Sequence, residues 1–429
     1  MRRFLVRRSV TAVGIYASVA LGFLGTVVAT HELHTASRFG DYATVIFATA
    51  LLQSFFDLTV EEVLVKYGFR YSSRQDWGRL RSLFGSAMKV KLAGALIGTA
   101  GLIVFSQLAP PRLEGACLLA AGIPLGQSLE GLAGSMLYLH SRYDIRSLLL
   151  AWSMALRVGG IAVGAHYGVA QAVAGVLVAQ VISTATVGVV GLYAYRRFPQ
   201  AASRPLGEDR REIVSFVAQS SVATGVLSLR GGLAPLLLGV VTNTTQVGLF
   251  KVAQAPQSGF QALSAPARMV LLTEQTREWE KGRQSAVLAG VRRYTLFALV
   301  VAIVAVPPFL IWMPDLIRFV FTSKYAGAVD AARLFVLAAA VQLVVGWTKS
   351  FPVTIGRPGL RILTHGIETL VVLPLVLVFG SLWGATGAAG AVLAGMCAFA
   401  IMWGFVFARI RPEDIGPPSP VLDTGAVLP

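Results

Sequence analysis

Six charged side chains interrupt long apolar runs of this sequence, and their types decide what chemistry those runs could support. Three are cations that could bind anionic groups: Arg157, Arg230 and Lys251. Three are carboxylates that could bind protons or cations: Asp57, Glu130 and Glu368. A charge at the centre of a lipid-exposed helix costs about 2.5–3.5 kcal/mol on insertion scales. Each is therefore expected to face the protein interior or a watery cavity.

The composition places the chain in a membrane. Its 429 residues are 55% hydrophobic and 14% charged, whereas an average soluble domain has about 25% charged residues. The two cysteines, Cys117 and Cys397, lie in apolar runs without a CxxC motif, which indicates neither a metal site nor a disulfide framework. No GxxxxGK[ST] phosphate-binding loop occurs, and His31-Glu-Leu-His34 lacks the spacing of a zinc motif. The sequence predicts no cofactor and no metal.

The apolar runs predict an all-α membrane protein of about twelve spans, since a hydrocarbon core about 30 Å thick needs about 20 helical residues. We place these spans near 9–30, 42–65, 84–107, 115–138, 147–165, 171–195, 213–240, 246–272, 294–313, 331–348, 360–379 and 384–408. The first is read as an uncleaved span rather than a signal peptide, because its apolar run exceeds the usual 7–15 residues. The second and eighth are unusually polar and need a protein or aqueous environment.

The basic residues predict the orientation. Loops that alternate along the chain hold 29 lysines and arginines on one side and 4 on the other. The positive-inside rule places the richer side, with both termini, in the cytoplasm. This asymmetry accounts for the formal net charge of +16 without nucleic acid as a partner.

The chain repeats weakly at half its length. Phe39-Gly40-Asp41-Tyr42 resembles Val247-Gly-Leu-Phe250, and Arg142-Tyr-Asp-Ile-Arg146 resembles Arg357-Pro-Gly-Leu-Arg361. Both pairs fall at equivalent places in two sets of six spans, as in transporters with parallel repeats. We therefore predict a six-helix lobe over 1–198, a cytoplasmic linker over 199–212, a second lobe over 213–411 and a disordered tail over 412–429.

Several short motifs resemble those of the multidrug/oligosaccharidyl-lipid/polysaccharide (MOP) exporter superfamily. Near the start these are Ser37-Arg-Phe-Gly-Asp-Tyr and Asp57-Leu-Thr-Val-Glu-Glu. Later in the chain they are Val247-Gly-Leu-Phe-Lys-Val-Ala-Gln, Ile355-Gly-Arg-Pro and Gly384-Ala-Thr-Gly-Ala-Ala. The branch that the sequence resembles most is that of the Wzx-type oligosaccharide flippases of polysaccharide biosynthesis.

The resemblance implies two six-helix bundles around a central, often cationic cavity. It implies alternating-access transport of polyprenyl-diphosphate-linked sugars across a bacterial plasma membrane, and a pathway shared with a glycan polymerase and glycosyltransferases. The acidic cluster here is denser than in the family pattern, with Asp57, Glu61 and Glu62. The resemblance therefore does not determine whether the inner mouth of the cavity is cationic.

Our site hypothesis is that Arg230 and Lys251, together with Arg157, hold the diphosphate of a lipid-linked glycan. Gly231 and Gly232 would allow the backbone to approach the ligand, and Pro235 could bend the span. The alternative is that the arginines pair with acids of other spans, for which Asp57, Glu130 and Glu368 are available. A second hypothesis is that one of these acids couples transport to a cation gradient.

Two other functions are weighed against the flippase. A cation-coupled multidrug exporter would share the same architecture. A membrane-embedded glycan polymerase or glycosyltransferase would want carboxylates on substantial outer loops, but those loops are short and their acids are scattered.

Overall fold

Helices fill the predicted spans because lipid offers no hydrogen bonds to the backbone, so that a crossing segment must satisfy its own. The computed structural model describes residues 2–56, 60–263, 283–349, 351–354 and 359–409, and these contain no β-strand. The helices are Arg2–Glu32, Ala36–Phe56, Val60–Ser73, Trp77–Leu108, Pro111–Ala120, Ile123–Leu139, Tyr143–Ala165, Val169–Arg196, Asp209–Ser228, Ala234–Val241, Thr244–Leu263, Gln284–Phe321, Val329–Val344 and Gly359–Arg409. Short 3-10 segments, Ser323–Ala328 and Gly346–Lys349, flank the helix Val329–Val344.

Ten helical stretches of the described residues are long and apolar enough to cross a membrane. Two features connect this number with the twelve predicted spans. The stretch Ile362–Arg409 contains the eleventh and twelfth spans, which meet at Gly384, where φ is +58°. The eighth span, Thr244–Leu263, forms a helix but is too polar to count among the ten. Its polarity requires protein neighbours rather than lipid.

Two spans are interrupted within the described residues. The fourth consists of Pro111–Ala120 and Ile123–Leu139. In the seventh span, a π-helical segment, Leu229–Leu233, joins two α-helices. Pro235 follows this segment and lacks the N–H group that would continue regular α-helical bonding. Such π-segments are frequent at functional sites, so this bend marks the seventh span for inspection.

The two halves of the chain meet where the second and eighth spans cross. A Cβ on Gly40 would lie 1.7 Å from the carbonyl oxygen of Thr244, so only glycine fits there. Beside this crossing, Tyr325 donates a hydrogen bond of 3.3 Å to the carbonyl oxygen of Thr30, and its ring packs edge-on against Phe39. Both rings are almost fully buried. We call the end of the molecule that carries this crossing the outer end, following the predicted orientation.

At the opposite, inner end, the second span contacts the start of the seventh. Glu212 accepts hydrogen bonds from Tyr67 and Arg70 at 3.0 Å each, and Asp209 accepts one from Tyr71 at 2.9 Å. We call these five residues the inner latch. It joins the helix Val60–Ser73 to the first turn of Asp209–Ser228, so the predicted lobes touch at both ends.

The segment between the sixth and seventh spans lies along the third span. Arg204 N donates to the carbonyl oxygen of Gly78 at 3.1 Å, and the Ser82 and Ser203 hydroxyls lie 2.7 Å apart. A Cβ on Gly78 would approach the carbonyl oxygen of Ala202 to 2.7 Å. The predicted linker is therefore held on the first half of the chain up to Gly207, where φ is +59°.

Candidate functional site

A cavity of about 240 Å³ lies between the first, second, fifth and eighth spans. Its lining is mostly apolar or small, with four polar side chains: Thr26, Tyr42, Arg157 and Lys251. Two of these are cations, and no Asp or Glu belongs to the described lining. The structure thus brings together two of the three cations that the sequence singled out, from spans in different halves of the chain.

Lys251 contributes an ammonium group without an acidic partner. Its Nζ lies 4.8 Å from the centre of the Phe47 ring, a cation–π contact that leaves the charge uncompensated. Among the described residues, no carboxylate oxygen lies within 4.0 Å of this nitrogen. Since the ammonium has three N–H donors and the ring face accepts no conventional hydrogen bond, donors remain for a ligand.

Amide oxygens, not a carboxylate, hold Arg157. Its Nη2 donates to Gln127 Oε1 at 3.2 Å and to Gln180 Oε1. Its Nε is buried and has no partner among the described residues. Because neutral amides orient the guanidinium without cancelling its charge, Arg157 keeps a positive charge at the cavity wall.

Glu130 lies behind Arg157 rather than in the cavity lining. Its carboxylate accepts hydrogen bonds from Ser153 at 2.8 Å, from Gln180 Nε2 at 2.8 Å and from Ser183 at 2.9 Å. Arg146 Nη1 is 4.0 Å from Glu130 Oε1. The carboxylate is thus a buried acceptor with three hydrogen-bond donors, and in the described part of the chain Gln180 connects it to the cavity cation Arg157.

Arg230 is not among the cavity-lining residues. Its guanidinium forms an ion pair with Glu368 of the eleventh span, and His365 Nδ1 lies 3.1 Å from the other Glu368 oxygen. Glu368 is 2% exposed, so the low-dielectric surroundings favour this pairing over isolated charges. This geometry matches the alternative hypothesis of the sequence analysis, in which an intramembrane arginine pairs with an acid of another span. A role for Arg230 as a phosphate ligand stays a prediction and would require exchange of this partner.

The glycines beside Arg230 have different surroundings. A Cβ on Gly232 would lie 2.7 Å from Leu51 Cβ of the second span, whereas nothing lies within 4 Å of the corresponding position on Gly231. Gly232 therefore serves helix packing. Gly231 alone leaves the backbone accessible, as we predicted for both.

The acids of the second span differ in what the structure shows of them. Asp57 lies outside the described residues, so its predicted coupling role stays a prediction. Glu61 forms an ion pair with Lys91 at 3.0 Å, and Glu62 accepts a hydrogen bond from Ser220 at 2.7 Å. Among the described residues, no group of three or more His, Cys, Asp or Glu side chains could hold a metal ion.

Sequence reasoning missed the uncharged polar residues of the site. Tyr42 and Thr26 line the cavity, and Gln180 connects Arg157 to Glu130. A signal was present, since Gln180 is an amide in the middle of the apolar sixth span. Charge is easier to recognise in a sequence than an amide, whose role depends on what lies across the helix interface.

Solved structures with this architecture include transporters described as members of the MOP superfamily. One is an inward-facing multidrug resistance MATE family transporter, with a TM-score of 0.74 and 13% identity over 96% of this chain and 98% of that one. The lipid II flippase MurJ in an inward closed conformation gives 0.75 and 12% identity over 94% and 88%. A MOP superfamily transporter from Pyrococcus furiosus gives 0.68 and 14% identity over 96% and 95%.

These identities show the fold. The chain has the all-helical MOP fold, and the similar structures are transporters and a flippase rather than enzymes. No protein-family model and no curated protein matches the chain.

Proposed function

We propose that this protein is a flippase, which moves a polyprenyl-diphosphate-linked oligosaccharide across the bacterial plasma membrane by alternating access. The observation that carries the proposal is a cavity that helices of the first half of the chain line, and to which the second half contributes Lys251. It presents Arg157 and Lys251 and has no acidic residue in its described lining. Both termini are proposed to lie in the cytoplasm, where the substrate is loaded.

The charges of the cavity complement a diphosphate. A guanidinium and an ammonium group in surroundings of low dielectric bind phosphate oxygens more strongly than they would in water. Arg157 is oriented by two amides, and its Nε has no partner among the described residues, while Lys251 has donors to spare. We propose that these two residues contact the diphosphate directly.

The volume of the cavity indicates which part of the substrate it holds. Ligand pockets commonly measure about 300–1,000 Å³, so a space of about 240 Å³ suits the diphosphate better than a whole oligosaccharide. The lobes must separate to admit the glycan. The polyprenyl chain is proposed to remain in the membrane lipid.

The same charges oppose the multidrug alternative. A cationic amphipathic drug would enter a cavity that already holds two cations and has no acid in its described lining. The polymerase or glycosyltransferase alternative is disfavoured because the structures that share this fold are transporters. Such enzymes are proposed instead as partners in the same pathway.

The test is to deplete the protein from cells and to extract their lipid-linked glycans. We expect a diphosphate-linked species to accumulate on the cytoplasmic face, and wild-type protein to restore its export. Accumulation on the outer face would instead indicate a block after flipping and would favour the polymerase. No accumulation, combined with retention of a cationic dye in depleted cells, would favour drug export.

Matched variants connect the cellular result to the site. Arg157→Gln and Lys251→Met are expected to fail to restore export, whereas Arg318→Gln and Lys324→Met, which alter exposed residues of the outer end, are expected to restore it. Equal amounts of folded protein in the membrane are verified by gel filtration of the extracted protein. Normal export by both cavity variants would remove the proposed site.

A further inference from the structure

Tyr42 brings to the cavity wall a hydroxyl group that forms no hydrogen bond with the described residues. The side chain lines the cavity and is 8% exposed. The three other buried tyrosines of the described residues all donate their hydroxyl hydrogens to oxygen atoms of the protein. Tyr67 and Tyr71 of the inner latch donate to carboxylates, and Tyr325 donates to a carbonyl. Tyr42 is the exception, and among these four it alone belongs to the cavity lining.

The second half of the chain shows what packing requires at the corresponding position. In the weak repeat that pairs Gly40 with Gly248, Tyr42 corresponds to Phe250. Phe250 is 1% exposed and packs edge-on against Phe335, with 5.0 Å between the ring centres. A ring without a hydroxyl group thus fills the equivalent place in the second half. Packing alone therefore does not require the hydroxyl group of Tyr42.

The residues that follow these two rings extend the comparison. Tyr42 precedes Ala43, whereas Phe250 precedes Lys251. Tyr42, Ala43 and Lys251 all line the cavity. Each half therefore contributes one hydrogen-bond donor to the cavity from this part of the repeat. The first half supplies a neutral hydroxyl group, and the second half supplies an ammonium group.

The surroundings of the Tyr42 hydroxyl favour donation to an anion. Tyr42 is close enough to Arg157 for the two groups to interact electrostatically. Because a guanidinium can only donate hydrogen bonds, the Tyr42 oxygen can act toward it only as an acceptor, which leaves the hydroxyl hydrogen for a ligand. The described lining contains no Asp or Glu that would compete for this hydrogen. An anion that approaches Arg157 and Lys251 therefore meets a third donor.

We propose that Tyr42 is a third diphosphate-binding residue, which donates its hydroxyl hydrogen to a phosphate oxygen of the substrate. This inference rests on the proposed function, since it concerns the same site. Arg157 and Lys251 attract the anion through their charge, which acts over a distance and in all directions. A hydrogen bond from a neutral hydroxyl group depends instead on distance and angle. Tyr42 therefore helps to determine how the diphosphate is oriented in the cavity.

The contact is measured by equilibrium binding of farnesyl diphosphate to the purified full chain at one fixed pH. Farnesol is the second probe, because it has the same apolar chain without phosphate. Tyr42→Phe removes only the hydroxyl group and introduces the residue that the second half has at this position. We expect this variant to bind farnesyl diphosphate about tenfold more weakly than wild type, the order for a hydrogen bond to a charged group, and to bind farnesol equally well. Tyr16→Phe is the matched control, since Tyr16 is 44% exposed in the first span and is not among the described cavity-lining residues.

Thermal unfolding without a probe separates a ligand-binding role from a structural role. Removal of the Tyr42 hydroxyl takes no described hydrogen bond from the unliganded protein, so Tyr42→Phe is expected to unfold at a temperature no lower than that of wild type. Tyr325→Phe loses the hydrogen bond to the Thr30 carbonyl and is expected to unfold at a lower temperature.

The outcomes separate this inference from the proposed function. If Arg157→Gln and Lys251→Met weaken the binding of farnesyl diphosphate while Tyr42→Phe keeps the wild-type affinity, the inference is overturned and the site stands. An equal loss of affinity for farnesol, or a lower unfolding temperature of Tyr42→Phe, would give the hydroxyl group a packing role and would also overturn the inference. If none of the three variants weakens binding, the diphosphate site itself is wrong. A loss in Tyr42→Phe that is confined to farnesyl diphosphate supports the inference.

Discussion

Gly40 packs against Thr244, which stands four positions before Gly248, and Gly248 packs against Ala36, which stands four positions before Gly40. A Cβ on Gly40 would approach the Thr244 carbonyl oxygen to 1.7 Å, and a Cβ on Gly248 would approach that of Ala36 to 2.7 Å. The contact is therefore reciprocal across a local pseudo-two-fold axis. The weak repeat of Phe39-Gly40-Asp41-Tyr42 in Val247-Gly-Leu-Phe250 marks the residues where the two halves touch.

Gly40→Ala is expected to destabilise the protein, because the obstacle is backbone that cannot rotate away. Overpacking of this kind costs about 1–3 kcal/mol. Thermal unfolding of the purified protein measures the effect, with Gly115→Ala as the control. Gly115 has open space around it in a helix, where alanine is about 1 kcal/mol more favourable than glycine. An unchanged unfolding temperature for Gly40→Ala would contradict this contact.

Arg230 and Glu368 are expected to behave as a coupled pair in a double-mutant cycle. Arg230→Gln leaves the buried Glu368 carboxylate without its guanidinium partner, although His365 stays beside it, and Glu368→Gln leaves the guanidinium without its acid. Removing one partner of a buried ion pair costs about 3–5 kcal/mol, whereas the double variant removes both charges. The double variant should therefore unfold at a higher temperature than either single variant. Additive losses would show that the two side chains do not interact.

The same double variant decides the predicted ligand role of Arg230. If Arg230 serves only to compensate Glu368, the doubly neutral protein is expected to transport normally. If Arg230 exchanges partners with the substrate, transport falls although stability is restored. Export in the depleted cells distinguishes these results.

Glu212→Gln is expected to open the inner latch. Arg70 and Glu212 are 32% and 50% exposed, so their pair contributes at most about 1 kcal/mol, or about a fivefold change in population. Spin labels on Ser73 and Arg210, with Cys117 and Cys397 replaced by alanine, report the distance across the latch. High salt should broaden the wild-type distances toward those of the variant. It should affect the variant less, because the variant keeps only the pairs of Asp209 with Arg70 and Arg79 among the described ion pairs across the latch. Identical distances in both proteins would mean that this ion pair does not hold the inner end together.

Lys251→Glu is expected to reverse the preference of the cavity for charge. A carboxylate beside the Phe47 ring would repel a diphosphate and attract an amphipathic cation. Binding of a cationic dye to the purified protein should appear in the variant and be absent from wild type. Strong dye binding by the wild type would instead favour the multidrug alternative.

The fold was predictable where hydrophobicity alone determines it. Twenty-residue apolar windows located the first, third, fifth and sixth spans, because a membrane crossing imposes both length and composition. Pro235 was expected to bend the seventh span, but the π-segment before it depends on single residues and was not predicted. The eleventh and twelfth spans were separated between 379 and 384, and the structure places the corner at Gly384. The polar eighth span was placed in spite of its composition, and the alternation of the basic loops supported an even number of crossings.

The candidate site was only partly predictable. The cost of burying a charge drew attention to Arg157, Arg230 and Lys251, but it does not determine which of them an acid compensates. Arg230 meets Glu368 across a helix interface, whereas Lys251 meets the ring of Phe47. Such partners are set by tertiary packing, which a single sequence does not show.

The attachment of the linker to the third span determines how the lobes can move. Because the chain is held on the first lobe as far as Arg204 and the seventh span begins at Asp209, only a few residues around Gly207 remain as a covalent joint. A connection this short allows rotation about it but little translation. We therefore expect the predicted second lobe to tilt about the inner end of the seventh span and not to move away from the predicted first lobe there.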